Sequence, residues 1–139
     1  TACNIATQII AYYVYIEGGG SNVINPVSAG NFPAVGNNDY FVKSYPLEVV
    51  CDLEGKRFVM CHGHKYSVKS GTYALLAKAR EHKADVVLFG HTHQPLETYV
   101  PTEEGGYYLF NPGALGGYKS SYGVMMITDK GILLSHGSL

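Results

Sequence analysis

The most informative stretch of this 139-residue chain is residues 84–93, ADVVLFGHTH. Its segment 85–89 is almost wholly apolar and has the length of a strand, which predicts a strand buried on both faces. Before it, apolar residues fall near helical spacing over 73–83, and Ser70 is a candidate N-cap for that helix. A helix that leads into a buried strand is typical of the crossover connection in an α/β sheet.

Short strand patterns flank this unit on both sides. Residues 47–52 and 57–61 are rich in Val, Phe and Met and enclose the turn Glu54-Gly55-Lys56, which is typical of a β-hairpin. Further strands are predicted at 9–16, 98–100, 107–110, 123–128 and 132–135. With one helix in the middle and a meander of strands at the end, the chain is predicted to have an α/β fold.

The composition limits the classes of partner. A formal net charge of −1 provides no basic field for nucleic acid or an anionic membrane, so neither is expected as a partner. No apolar run approaches the roughly 18 residues that a membrane span needs, and no signal peptide is visible, which predicts a cytoplasmic location. The charged fraction of 15% is low, which favours a surface buried against further sequence or a partner, such as a second copy in a homo-oligomer.

Four of the six histidines form two pairs with the same spacing, His62-Gly63-His64 and His91-Thr92-His93. Each pair directly follows a predicted strand, and strand ends are where open α/β sheets assemble ligand sites. Imidazoles from neighbouring strand ends can converge on one transition-metal ion. The alternative is that each pair only adds polar groups to the surface, but two pairs at two strand ends favour a metal site.

The turn Gly36-Asn37-Asn38-Asp39 is a third candidate element. By itself this sequence indicates only a turn. If histidines already supply a metal site, however, the amide oxygen of Asn37 would complete it. Oxygen ligands mixed with imidazole favour Mn, Fe, Zn or Co over copper.

Taken in chain order, these motifs and Asn111-Pro112-Gly113 resemble those of the calcineurin-like metallophosphoesterase superfamily, in its small YfcE-like single-domain phosphodiesterase branch. Gly-His-Thr-His after an apolar strand, downstream of His-Gly-His, is the most specific part of the resemblance. It implies a sandwich of two mixed β-sheets flanked by helices, incomplete in this chain. Residues 35–139 are therefore expected to form the C-terminal part of such a domain, and residues 1–34 a divergent or truncated N-terminal segment.

The resemblance also implies a set of metal ligands. Asn37, His62 and His91 would ligate one divalent ion, and His93 would ligate a second. In the family the two ions share a bridging carboxylate and hold a water molecule for in-line attack on phosphorus. Mn²⁺ is the expected metal, with Ni²⁺, Fe²⁺, Zn²⁺ and Co²⁺ as alternatives.

Two further residues are candidates for catalysis through the same resemblance. His64 would face the phosphate or support a ligand. Asn38 occupies the position at which larger relatives carry a histidine that protonates the leaving group. Because an amide cannot donate that proton, the chain is expected to prefer good leaving groups unless His64 takes over this role.

Two family motifs are absent from the chain. The family begins with a strand that ends in Asp-x-His and a second strand that ends in Gly-Asp, whose aspartate bridges the metals. Before Asn37 there is no aspartate or histidine, and Glu17 is the only carboxylate. The recognisable motifs therefore supply the neutral ligands of the site and not its carboxylates.

Three functions remain open at this point. The resemblance implies a metal-dependent phosphodiesterase that acts on a small phosphoester. The alternative is a catalytically weakened protein-interaction module, as in the retromer scaffold subunit, which resembles this family; twelve tyrosines suit an interface. A third reading is a structural zinc site formed by His62, His91, His93 and a cysteine such as Cys61, although adjacent strand residues point to opposite faces.

Overall fold

The computed structural model describes residues 12–14, 24–27, 48–114 and 119–138, and it describes side chains in the last two ranges. Asn37, Asn38 and Glu17 lie outside these ranges, so the predictions made for them stay predictions. The elements are β1 (Tyr12–Val14), β2 (Ile24–Val27), β3 (Glu48–Leu53), β4 (Lys56–Cys61), α1 (Tyr73–His82), β5 (Val86–Leu88), β6 (Leu96–Thr102), β7 (Gly105–Asn111), β8 (Ser121–Thr128) and β9 (Gly131–Ser138).

The main sheet has five strands in the order β3-β4-β5-β7-β6. Its three central strands β4, β5 and β7 are parallel, whereas β3 and β6 pair antiparallel at the two edges. The predicted hairpin is confirmed: Glu54 and Gly55 join β3 to β4 with φ angles of +50° and +75°. Two successive positive φ angles match the right-handed twist of the strands, which is why this turn closes a tight hairpin.

Each face of the main sheet carries its own apolar core. On one face, Phe58, Val86 and Phe110 pack against Met125 and other residues of the antiparallel β8–β9 pair. On the other face, strand residues pack against α1 through a second set of buried side chains: Val59, Cys61, Val87, Phe89, Leu109, Leu75 and Ala79. Because β5 is covered on both faces, its three residues are all buried, as its apolar run predicted.

The predicted fold class is confirmed as a mixed α/β sandwich in which a second, smaller sheet lies against the main one. The predicted N-cap is wrong. Ser70 donates its backbone N–H to Ser67 in a preceding turn, and the helix begins at Tyr73 with Thr72 as its N-cap. Gly71, whose φ is +140°, lies between Ser70 and Thr72, so the chain changes direction there before the helix begins.

β6 is longer than the sequence predicts. It extends to Pro101 and Thr102, although proline is rare inside sheets. An edge strand tolerates it because one side of the strand has no ladder partner. In the described part of the chain, no helix is long and apolar enough to cross a membrane.

Candidate metal centre

Three parallel strands bring the two histidine pairs and Asn111 to one end of the main sheet, where the strands have their carboxyl ends. β4 leads into His62, β5 leads through Phe89 and Gly90 into His91, and β7 ends at Asn111. The Gly90 N–H donates to the His62 carbonyl at 2.9 Å, which joins the two histidine loops directly beyond the strands. The carboxyl ends of parallel strands are the usual place for a ligand site in an α/β sheet.

The side chains of His62 and His91 meet at this end of the sheet. His62 Nε2 lies 3.2 Å from His91 Nδ1, and the two rings stand edge to face with centroids 5.1 Å apart. His62 is only 2% exposed. The His64 ring lies nearby, with its centroid 5.4 Å from that of His62 and 6.3 Å from that of His91. The fold thus gathers three of the four histidines of the two pairs.

Gly63 makes the close approach of the two histidine loops possible. Its φ is +109°, a conformation that residues with a side chain rarely adopt. A Cβ at this position would lie 3.0 Å and 3.3 Å from the two methyl carbons of Val68 and 3.5 Å from the Gly90 carbonyl oxygen. Only glycine therefore lets the backbone turn between His62 and His64 without moving Val68.

The second pair lies on a strained backbone. His91 and His93 have φ angles of +67° and +60°, in the left-handed region. A hydrogen bond of 2.8 Å from the Thr92 N–H to the Gly90 carbonyl closes a tight turn centred on His91. Left-handed residues other than glycine are rare and cluster at functional sites. His93 itself is exposed.

Asn111 holds this strained turn in place. Its Nδ2 donates to the Gly90 carbonyl at 3.2 Å and to the Thr92 hydroxyl at 3.0 Å, and its Oδ1 accepts from the Gly113 N–H at 2.9 Å. The side chain is completely buried. The sequence shows Asn111 only as part of a family motif and gives no sign of its bonds to Gly90 and Thr92, because these contacts depend on β7 lying beside β5.

A fifth histidine reaches the same region from β9. His136 Nε2 donates to the Asn111 carbonyl at 2.7 Å, and its ring stacks on Phe110 with centroids 4.5 Å apart. The second sheet therefore supports the end of β7. No sequence signal pointed to this residue, since it lies 25 residues from Asn111.

The electrostatic environment keeps the buried histidines neutral. The pKa of His62 is lowered to about 4. Burial is the largest cause, and the neighbouring charges of His91, His64 and His93 contribute the rest. Burial also lowers the pKa of His91, as do the charges of Lys69, His64 and His93. Neutral imidazole is the form that binds a metal ion.

The two nitrogens are within hydrogen-bond distance of each other, and their separation also matches that of two ligands of a single ion. With metal–nitrogen distances of about 2.1 Å and angles between about 90° and 109°, two ligating nitrogens lie about 3.0–3.4 Å apart. The 3.2 Å between His62 Nε2 and His91 Nδ1 falls in this range. Within residues 48–114 and 119–138, however, no group of three or more His, Cys, Asp or Glu side chains is arranged to hold a metal ion. The described residues thus bring together two imidazole nitrogens, and Asn37 lies outside them.

Cys61 does not join this pair. Its side chain is 1% exposed and packs in the apolar core on the α1 face of the sheet. Burial, with a smaller effect from the charge of Glu48, raises the pKa of its thiol to about 12. Because a thiolate is the form that binds zinc, this placement argues against a structural zinc site that uses Cys61.

The architecture is that of the metallophosphoesterases, and comparisons with known proteins identify the family. A family model for the calcineurin-like phosphoesterase superfamily domain matches residues 20–130. A probable metallophosphoesterase from Mycoplasma pneumoniae is 31% identical over 87 residues, which cover 60% of this chain and 50% of that protein. The chain belongs to the calcineurin-like phosphoesterase superfamily, as the motifs predicted.

Two solved structures are also similar. A predicted phosphoesterase from Streptococcus pneumoniae shares 26% identity and a TM-score of 0.54, over 65% of this chain and 52% of that one. These likenesses confirm the predicted single-domain branch, and this chain spans about half the length of both bacterial relatives. A variant of Vps29 from Entamoeba histolytica, at 18% identity and a TM-score of 0.61, has the same fold over 97% of this chain and 86% of its own.

Proposed function

We propose that this protein is a metal-dependent phosphoesterase that hydrolyses phosphodiesters. The observation that carries the proposal is the approach of His62 Nε2 and His91 Nδ1 to 3.2 Å beyond the carboxyl ends of the parallel strands. Membership of a phosphoesterase superfamily supports it. A buried polar ring and a left-handed backbone both cost free energy, and histidines without a shared function would require neither.

The proposed ligand roles are those that the family resemblance implies, and the 3.2 Å between the His62 and His91 nitrogens supports two of them. His62 and His91, joined by Asn37, would hold one divalent ion, and His93 would contribute to a second. Mn²⁺ is the proposed metal, with Ni²⁺, Fe²⁺, Zn²⁺ and Co²⁺ as alternatives. When bound, such ions lower the pKa of a water molecule and neutralise the charge that develops on the phosphate oxygens.

The residues of the chain would provide position and proton transfer. His64 would face a phosphate held at His62 and His91, and its ring centroid, 5.4 Å from that of His62 and 6.3 Å from that of His91, supports this role. We assign it the proton that the leaving group takes up. Asn38 would orient a phosphate oxygen through its amide. A diester with a good leaving group needs the least help from such a proton donor.

The neutral ligand set has a consequence for the substrate. His62, His91 and Asn37 bring no negative charge to balance a divalent ion. An anionic phosphoester would supply part of that balance, so its binding and metal binding would strengthen each other. The carboxylates of the family motifs would add to this balance in any complete site.

Hydrolysis of bis-p-nitrophenyl phosphate with added Mn²⁺ tests the proposal. We expect Mn²⁺-dependent turnover that falls at least tenfold in His62→Ala, because a ligand is lost. Glu104→Ala is the control, since Glu104 is exposed and lies at the opposite end of the parallel strands. Equal rates in His62→Ala and wild type, or turnover that survives a chelator, would overturn the proposal. Folded protein without turnover would favour the alternative of an interaction module.

A further inference from the structure

A cavity of about 400 Å³ opens beside the histidine pair, between the loop after β5, the loop before α1 and the start of β6. Thr92, the residue between His91 and His93, forms part of its wall. Val68, another lining residue, has methyl carbons 3.0 Å and 3.3 Å from the position that a Cβ of Gly63 would occupy, so the cavity borders both histidine loops. Its volume lies at the lower end of the range of roughly 300–1,000 Å³ that is typical of small-molecule pockets.

The cavity has an apolar floor and a polar rim. Val68 and Phe89 are 6% and 2% exposed, and with Leu96 they form a floor that is continuous with the core on the α1 face. Thr72 and Gln94 add hydrogen-bonding groups at the rim. An apolar floor with a few polar groups at its edge suits a flat organic ring better than a sugar or a bare ion.

Lys69 is the charged residue of the described lining. It is exposed, so its ammonium group is free to reach a ligand. Lys69 directly follows Val68, which lies against Gly63 between His62 and His64, so it is on the side of the cavity next to the histidine loops. A cation at the junction between the histidines and an apolar cavity is the arrangement that would recognise a phosphate joined to an organic group.

The other large cavity has a different character. It lies at the opposite end of the parallel strands, and its lining mixes Arg80 and Lys83 with Asp85, Glu103 and Glu104. Cations and carboxylates of similar number give no preference for an anion. The cavity beside Thr92 is therefore the one whose charge complements a phosphoester.

We propose that the cavity lined by Lys69 and Thr92 is a substrate subsite that binds an aromatic-ring-sized ester group of a phosphodiester, while Lys69 pairs with the phosphate. This inference rests on the proposed function for the place of the phosphate. It narrows the substrate class to phosphodiesters that carry at least one flat ring.

Binding without turnover tests the subsite directly. The full chain, labelled with ¹⁵N and free of metal, is titrated with bis-p-nitrophenyl phosphate, and the amide signals are followed by NMR. We expect saturable shifts at Lys69, Thr72, Gln94 and Leu96, and none at Arg80 or Glu104 in the other cavity. Dimethyl phosphate, which has the same charge and no ring, should give no saturable shift at these residues.

A pair of lysine variants tests the role of the charge. Lys69→Met keeps the length of the side chain and removes its cation, and it should raise the Kd for bis-p-nitrophenyl phosphate about fivefold. Lys65→Met is the matched control, because Lys65 is also exposed on the loop after β4 and does not line the cavity; it should change the Kd less than twofold.

The outcomes separate the subsite from the proposed function. Shifts at the cavity with no Mn²⁺-dependent hydrolysis would support the subsite and count against the proposed function. Hydrolysis with shifts elsewhere, or with equal effects of Lys69→Met and Lys65→Met on the Kd, would overturn the subsite and leave the proposed function standing. Equal binding of dimethyl phosphate would also overturn it.

Discussion

The backbone of His91 and His93 is held in a conformation that costs about 1–3 kcal/mol for each residue. Contacts around the turn must therefore outweigh that cost, and the buried amide of Asn111 provides three of them. Because this side chain is inaccessible to solvent, water cannot replace the bonds when it is removed. The position of the two histidines thus depends on a residue that neither binds metal nor touches substrate.

Removal of this amide should destabilise the protein. We expect Asn111→Ala to lower the free energy of unfolding by about 2–4 kcal/mol, because the Gly90 carbonyl and the Gly113 N–H lose a partner in a buried site. Thr92→Val is the matched control: it removes one of the three bonds and should cost about 1 kcal/mol. Urea unfolding followed by circular dichroism measures both values. A cost for Asn111→Ala no greater than that for Thr92→Val would contradict this role.

At the scale of elements, local pattern predicted most strands and the helix, and it placed both histidine pairs at strand ends. It predicted these well because β5 is short, apolar and buried, and because Glu54 and Gly55 have strong turn chemistry. The sequence could not predict that β7 lies between β5 and β6, since strand order depends on contacts distant in sequence. The bonds of Asn111 to Gly90 and Thr92 follow from that order, whereas the contact of His136 depends on the packing of the second sheet against the end of β7. Local pattern could therefore predict neither.

Glu48 links three elements on the α1 side of the sheet. It lies at the start of β3 and accepts a hydrogen bond of 2.6 Å from the hydroxyl of Tyr66, in the 3₁₀ turn that begins at His64. From α1, His82 Nε2 lies 3.3 Å and Lys78 Nζ 3.5 Å from Glu48 Oε1. This network fixes the turn that carries His64 against the helix and the edge strand.

The same network predicts a pH dependence of stability. Partial burial acts to raise the pKa of Glu48, but the bonds from Tyr66 and His82 and the charge of Lys78 outweigh it and lower the pKa below its ordinary value of 4.5. A carboxyl group whose pKa is lower in the folded than in the unfolded state stabilises the fold fully at a pH above its unfolded-state pKa. This stabilisation is lost as the pH falls through the folded-state pKa. Glu48→Gln should therefore destabilise the protein by about 1 kcal/mol at pH 7 and by less below pH 4.5.

Thermal unfolding of wild type and Glu48→Gln between pH 7 and pH 3 measures this difference. Glu104→Gln, at an exposed position, is the control and should follow wild type throughout. A difference between wild type and Glu48→Gln that stays constant or grows as the pH falls would contradict the assignment.

At the scale of the whole molecule, the fold places two features, the histidine pair and the adjacent cavity, at the carboxyl end of the parallel strands. The carboxyl ends of β4, β5 and β7 gather the histidine pair, and the adjacent cavity offers an apolar floor with one cation. Two apolar cores, one on each face of the sheet, hold these strands in register. Members of the superfamily use divalent metals, and the described residues of this chain bring two imidazole nitrogens to 3.2 Å from each other, where we propose that one such ion binds.

Titration of the full chain with Mn²⁺ in an isothermal calorimeter tests this central claim most directly. We predict saturable binding that weakens at least tenfold in His62→Ala and is unchanged in Glu104→Ala, an exposed position at the opposite end of the parallel strands. Wild-type protein that binds no Mn²⁺, or His62→Ala that binds it as tightly as wild type does, would contradict the assignment of His62 and His91 as a metal centre.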